Sequence, residues 1–213
     1  MQKAIGIDLD GVIRHNNKSL NTGEVDPALR TKKGLLALYR TGGLPELYYI
    51  TDITQVKFID RALEALALLN TLHYDCYVLT NQEAIGVGAL SVEQWENIRD
   101  YMAGKIEQAG GRIAGWMVCP HAPDAGCRCR KPAPGLFYDL QGGYGVSLRN
   151  MYFIGDMDTD MQAAFVARCK GGIRIEHGAG NPAIPRLGTE NGVFTVSCHD
   201  LMQAVRYIEK NNS

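Results

Sequence analysis

The stretch Lys3-Ala4-Ile5-Gly6-Ile7-Asp8-Leu9-Asp10-Gly11-Val12-Ile13 decides how the rest of the chain is read. Apolar Ala4, Ile5 and Ile7 predict a short buried strand, and two carboxylates follow at its carboxyl end. In open α/β sheets, ligands bind at that end. Residues two apart on an extended chain share a face, so Asp8 and Asp10 are expected to point into one site. Carboxylates that close repel each other unless a cation or a shared proton intervenes. Oxygen ligands with room left for water and phosphate suit Mg²⁺. Gly11 then lets the backbone turn away tightly. Taken alone, the motif reads equally well as an Asp-Gly turn closing an ordinary strand.

Downstream, periodicity predicts alternating helices and strands. Phe58, Ile59, Ala62, Leu63, Leu66 and Leu69 recur at helical spacing up to about His73, and Tyr74 to Thr80 reads as a strand ending in Thr80-Asn81-Gln82. A glycine-punctuated turn, Gly86-Val87-Gly88, leads to Ser91, an N-cap for a helix that runs to about Ala109 and stops at Gly110-Gly111. Further strands are expected at Ile113–Val118, Met151–Ile154, Gly172–Ile175 and Val193–Val196. Helices are expected at Leu136–Leu140, at Thr159–Cys169 with Asp158 as cap, and at Asp200–Lys210. The alternation indicates an α/β fold: a doubly wound, mostly parallel sheet with helices on both faces and right-handed crossovers. The whole of 1–213 reads as one domain, with an inserted excursion at about 16–48 that carries a short helical pattern from Pro27 to Arg40. So long an excursion suits a lid or specificity cap as well as a passive surface insertion.

The chain has 213 residues, 46% of them hydrophobic, enough for a substantial core. Its net charge of −1 argues against extended contact with nucleic acid. Met1-Gln2-Lys3 runs straight into a strand, with no secretory pattern, and no apolar run is long enough to cross a bilayer. The expectation is a soluble, cytoplasmic protein acting on a small molecule, with no membrane or nucleic-acid partner. Nothing sets the oligomeric state, and a monomer is the simpler expectation.

Three strand ends carry polar groups: Asp8 and Asp10, Thr80 and Asn81, and Asp156 with Asp160. Each has a plain explanation as a turn or a cap, but in a parallel sheet such ends lie along one edge, where they converge. A second cluster is Cys119-Pro120-His121 followed by Cys127-Arg128-Cys129. These four donors make a Cys₃His set that suits tetrahedral Zn²⁺, although the single-residue gaps are tighter than those of a zinc finger. The alternative is three unlinked thiols and a surface histidine in a loop rich in proline and glycine. With all four positions filled by protein, the site at 119–135 is closed and structural, and its binding energy folds the loop. Arg130-Lys131-Pro132 follows the last ligand at once, so the metal pins two cations. Fixed over a carboxylate–Mg²⁺ site they serve phosphoryl transfer; the plainer reading is a solvent-facing basic pair.

In order, Asp8-Leu9-Asp10-Gly11-Val12-Ile13, Thr80-Asn81-Gln82, Cys119-Pro120-His121, Cys127-x-Cys129-Arg130-Lys131-Pro132-x-Pro134-Gly135 and Gly155-Asp156-x-x-x-Asp160 resemble the haloacid dehalogenase superfamily. The likeness is to its zinc-containing branch of heptose bisphosphate and histidinol-phosphate phosphatases, and it spans nearly all the chain outside the excursion. The resemblance implies Asp8 as the nucleophile that becomes an aspartyl-phosphate and Asp10 as the acid and base. It implies Mg²⁺ on the Asp8 carboxylate, the Asp10 carbonyl and Asp156, and phosphoryl contacts from Thr80, Asn81 and Lys131. Gln82 and Arg130 join the substrate side, and Asp160 supports from behind. Heptose enzymes of this branch usually read Ser-Gly-Ile-Ala-Arg-Gly where this chain has Glu83-Ala84-Ile85-Gly86-Val87-Gly88, and a Lys or Arg where it has Met157. Two cations are thus missing from the expected substrate rim. The implied substrate is a heptose (bis)phosphate, with histidinol phosphate or another sugar phosphate as the alternative. A catalytically silent, zinc-stabilised binding protein is the reading of another class.

Overall fold

The computed structural model describes residues 3–16, 37, 49–176, 186–190 and 193–211. The excursion at 16–48, with its Pro27–Arg40 pattern, falls almost wholly outside the described residues.

Strand β1 (Lys3–Ile7) lies between β2 (Tyr74–Asn81) and β4 (Tyr152–Gly155), with β3 (Ile113–Cys119) outside β2. On the other side follow β5 (Gly171–Ile175), β7 (Val193–Cys198) and β6 (Arg186–Glu190). The order is β3-β2-β1-β4-β5-β7-β6, all parallel except β6, which runs antiparallel to β7 at the edge. Sequence periodicity gave no sign of β6.

Side chains alternate along each central strand, as the pleat requires. Ile5, Ile7, Cys76, Val78, Tyr152 and Ile154 face one core, while Ala4, Tyr77, Leu79 and Phe153 face the other. The first core is covered by α1 (Ala62–Thr71), α3 (Val92–Gln108) and α6 (Leu201–Asn211), through residues such as Leu66, Ile98, Met102 and Val205. The second lies under α4 (Gly135–Tyr144) and α5 (Asp158–Val166), through Phe137, Leu140 and Met161. The Phe137 and Phe153 rings meet edge to face at 4.9 Å.

Several boundaries move for identifiable reasons. Ser91 caps α3 as expected, with Gln94 returning a bond to the Ser91 amide. The glycine turn after β2 contains a helical turn, α2 (Glu83–Gly86). Helix α4 runs past Leu140 through Gly142 and Gly143 and ends at left-handed Gly145. Asp158 is not the cap of α5. Met157 holds that place, its amide donates to Asp160 Oδ2 at 3.0 Å, and Asp158 is the first helical residue, ion-paired with Arg174. Arg168, at φ 59°, marks the end of that helical run before Cys169. Among the described residues, no helix is long and apolar enough to cross a membrane.

Candidate active site

Parallel pairing aligns the strand ends that matter. Ile7 sits beside Val78 on one side and Ile154 on the other, so Asp8, Thr80 and Asp156 follow at one edge of the sheet. The Asp8 amide extends the ladder, donating to Ile154 O at 2.8 Å. Asp8, Asp156 and Asp160 bring carboxylate oxygens within 4.8 Å of one another.

Lys131 closes this cluster from the 119–135 loop. Its ammonium is 2.7 Å from Asp8 Oδ1 and 2.6 Å from Asp160 Oδ1, and it donates to Leu79 O at 2.9 Å. All three ammonium protons are therefore satisfied, as a lysine that is 3% exposed requires. Burial alone would pull its pKa down, but Asp160 and Asp8 more than reverse that and hold it protonated. One ammonium still faces three carboxylates. Burial pushes Asp8 well above the ordinary carboxylate range against the pull of Lys131, and Asp160 and Asp156 push it the same way. Burial, with Asp160, also moves Asp156 up to about 7. Asp156 Oδ1 is buried without a hydrogen-bond partner among the described residues. A carboxylate oxygen left that way inside an anionic cluster fits a hard divalent cation.

Two glycines make room for these carboxylates. At Gly11, φ is +83° and a Cβ would stand 2.1 Å from Asp156 Oδ2; at Gly155 it would stand 2.5 Å from Asp160 Cβ.

Asp10 is held by two groups, one of which sequence reasoning missed. Arg14 Nε donates to Asp10 Oδ1 at 2.8 Å, and Gln82 Nε2 donates to Asp10 Oδ2 at 2.7 Å. Arg14 is buried, with its guanidinium 6.0 Å from the Trp95 ring centre and directed also at Gln82 Oε1. Gln82 Nε2 further donates to Thr80 Oγ1 at 2.9 Å, which leaves the Thr80 hydroxyl proton for another acceptor. The single signal for Arg14 in the sequence was its place four residues after Asp10, on a turn whose path is not legible from spacing. Arg14→Gln is expected to lower kcat about 10- to 100-fold with little change in KM. Arg14→Lys should recover part of that loss, and the pH–rate profile should shift in the glutamine variant, which loss of packing alone would not produce.

Asn81 clamps the loop. Its amide nitrogen donates to Lys131 O at 3.1 Å, and its Oδ1 accepts from the Lys131 amide at 3.0 Å. The Lys131–Pro132 peptide between these elements is cis. Arg130 pairs with Glu83 of α2, whose other oxygen lies 3.4 Å from the Tyr49 hydroxyl.

The cysteine cluster brings together four side chains that could hold a metal ion. Cys119 Sγ is 3.6 Å from Cys127 Sγ and 3.3 Å from Cys129 Sγ, and the last two are 3.6 Å apart. His121 Nδ1 lies 3.6 Å from Cys119 Sγ and 3.2 Å from Cys129 Sγ. A tetrahedral zinc with Zn–S bonds of about 2.3 Å has sulfur–sulfur edges of about 3.8 Å, so these donors need only small adjustments to hold one.

Comparison with known proteins decides the family. A HAD-hydrolase-like family model matches residues 128–182. A D-glycero-beta-D-manno-heptose-1,7-bisphosphate 7-phosphatase of Photorhabdus laumondii is 31% identical over 169 residues, covering 76% of this chain and 89% of that one. The protein of that name from Bordetella bronchiseptica is 34% identical over 140 residues, covering 66% and 76%. The chain belongs to the haloacid dehalogenase superfamily. It is a phosphatase of that superfamily, and solved structures agree with the fold. The phosphatase aligns at TM-score 0.73 and 25% identity, over 98% of both chains, with a D,D-heptose 1,7-bisphosphate phosphatase of B. bronchiseptica complexed with magnesium and phosphate. A structure of that activity from Burkholderia thailandensis matches at TM-score 0.61 and 18% identity, over 98% of this chain and 99% of that one.

In the phosphatase, Asp8, Asp10, Thr80, Lys131, Asp156 and Asp160 share one sheet edge, with Asn81, Gln82 and Arg130 beside them. Cys119, His121, Cys127 and Cys129 form a separate cage that carries the Lys131 segment. Protein purified without chelator is expected to contain about one zinc per chain. Cys127→Ser should lose that zinc and lower activity at least tenfold by loosening Lys131, with Mg²⁺ activation unmoved. An unchanged rate in a zinc-free variant would separate the cage from catalysis.

Proposed function

We propose that the chain is a Mg²⁺-dependent phosphomonoesterase acting through an aspartyl-phosphate on a small sugar phosphate of the heptose type. The observation that carries this reading is a buried lysine, Lys131, bonded to two of three clustered carboxylates beside an Asp156 oxygen without a hydrogen-bond partner among the described residues. The chemistry follows from those positions. An oxygen of Asp8 attacks phosphorus in line with the departing alkoxide, and the phosphorus–oxygen ester bond breaks as the acyl-phosphate bond forms. Asp10, oriented by Arg14 and Gln82, gives its proton to the alkoxide and afterwards takes one from the water that cleaves the acyl-phosphate. Lys131 neutralises charge on the transferring oxygens, and the Thr80 hydroxyl has a free proton to donate to one of them. Asn81 fixes the backbone that delivers Lys131. Asp8, Asp156 and the Asp10 carbonyl would hold a Mg²⁺ ion, which would supply the positive charge that lets a carboxylate approach an anionic phosphate. The heptose assignment is drawn from the relatives' names and rests on their similarity to this chain.

The test is phosphate release from a panel of sugar and amino-alcohol phosphates with Mg²⁺ added or chelated. Release from a sugar phosphate that stops on chelation is expected. The apparent Mg²⁺ affinity should rise with pH and level off above about 7, because the cation competes with the proton on Asp156. The sign for stability is opposite. Metal-free folded protein holds that proton more tightly than the unfolded chain, so stability falls as pH climbs from about 3.9 toward about 7, and Mg²⁺ reverses the fall. Release that ignores chelation would contradict the reading.

A further inference from the structure

Gln82 stands just past the end of β2, two residues after Thr80, the spacing that puts two side chains on one face of an extended chain. Its backbone is fixed from the neighbouring strand and from the turn that follows. The Gln82 amide donates to Cys119 O at 2.8 Å, one step beyond the β2–β3 ladder. At the far end of α2, a Cβ on Gly86 would stand 2.2 Å from Ala122 N, so the helical turn lies flush on the 120–122 backbone.

The residue is 5% exposed, and a buried amide needs partners for its polar atoms. Gln82 Nε2 donates to Asp10 Oδ2 at 2.7 Å and to Thr80 Oγ1 at 2.9 Å, while Oε1 accepts from Arg14 Nη2 at 3.4 Å. The partners fix which way round the amide sits, because an ionised carboxylate only accepts and a guanidinium only donates. A primary amide has two protons, and both are taken within the site, so none is left to donate to a substrate. The two acceptors serve different parts of the reaction described above. Asp10 exchanges a proton with the leaving and attacking oxygens, and Thr80 meets a transferring oxygen. A misplacement of about 1 Å between such groups can cost on the order of 100-fold in rate.

We propose that Gln82 is a positioning residue and not a substrate contact: its one amide sets the Asp10 carboxylate against the Thr80 hydroxyl, and so aligns proton delivery to the leaving oxygen with the phosphoryl group in transfer. The inference rests on the phosphatase reading above and on the acid–base role of Asp10 within it.

The experiment measures kcat/KM with Mg²⁺ for phenyl phosphate and 4-nitrophenyl phosphate in wild type, Gln82→Met and Gln82→Asn. The esters match around the reacting oxygen but differ in how much that oxygen needs a proton to depart, phenoxide being the more basic. Methionine keeps the length and removes the donors; asparagine keeps the amide and draws it back by one methylene. Each variant should lose about 100-fold on phenyl phosphate and about tenfold on 4-nitrophenyl phosphate, so the ratio of the esters moves about tenfold. Loss of packing, or of a contact to substrate, would lower both esters by one factor. A ratio that moves in either variant supports the inference. Equal loss on the two esters in both variants, complete loss included, or no loss on either, would overturn it and leave the phosphatase reading standing. A wild type that hydrolyses neither ester would also overturn it, and if the sugar-phosphate panel is silent too, the phosphatase reading falls with it.

Discussion

Asp8→Asn is expected to reduce phosphate release from an aryl phosphate by about 10³-fold or more, with the fold and the zinc content intact. The substitution keeps the shape of the side chain and removes the nucleophilic oxygen, so the reaction loses its covalent route rather than a share of binding. It also removes one of three crowded carboxylates, and burial had already made the charged form of Asp8 unfavourable. The asparagine variant should accordingly be at least as stable as wild type at pH 8 in the absence of Mg²⁺. Loss of activity together with unchanged or raised thermal stability separates a chemical defect from a folding one. Equal, low activity in wild type and variant would favour a silent, zinc-stabilised binding protein.

Lys131→Met carries the second large effect, and it falls on both stability and rate. Methionine fills much of the space but leaves Asp8 and Asp160 buried without their shared cation. Breaking a buried pair from one side costs about 3–5 kcal/mol. The pH dependence identifies the cause. Lys131 is held protonated in the fold above its unfolded value, so its contribution is fully present below about pH 10.4 and is lost only as pH rises beyond that. In the variant, the cost arises from buried negative charge, so the gap to wild type should be wide at pH 8 and shrink toward pH 4 as Asp8, whose carboxyl burial holds well above the ordinary range, takes up its proton. Denaturant unfolding at the two pH values measures it. The rate should fall about 10²- to 10³-fold, as expected when a fixed cation is taken from the transferring oxygens. A stability gap that does not change with pH would mean that the ammonium is not paired as described.

Much of this was legible because it depends on short-range chemistry. Ile5 and Ile7 followed by Asp8 and Asp10 specify a buried strand that ends in charge, and the structure places them so. Cys119, His121, Cys127 and Cys129 lie so near in sequence that a loop brings them together with little help from the rest of the fold. What escaped depends on geometry that spacing does not encode. Arg14 reaches Asp10 because the turn at Gly11 folds back, and Trp95 and Met102, which it also meets, lie far along the chain. The Glu83–Arg130 pair joins residues 47 apart, so neither predicts the other. Asn81 shows polar atoms that could serve a ligand, and the fold gives both to the Lys131 backbone. Asp158 looks like a cap because it opens a helical pattern, but Met157 is the cap residue, its amide held by Asp160 in the first turn. Strand β6 has little apolar alternation of its own, so only its antiparallel pairing with β7 reveals it.

The central claim is that Asp8 becomes covalently phosphorylated. The direct measurement is a rapid acid quench during turnover with Mg²⁺, followed by mass spectrometry of the peptide containing Asp8. The account predicts one phosphoryl group on that peptide, localised to Asp8 and missing from Asp8→Asn. Steady phosphate release by wild type with no phosphoryl group on that peptide at any quench time, in the presence of a slowly hydrolysed ester, would contradict it.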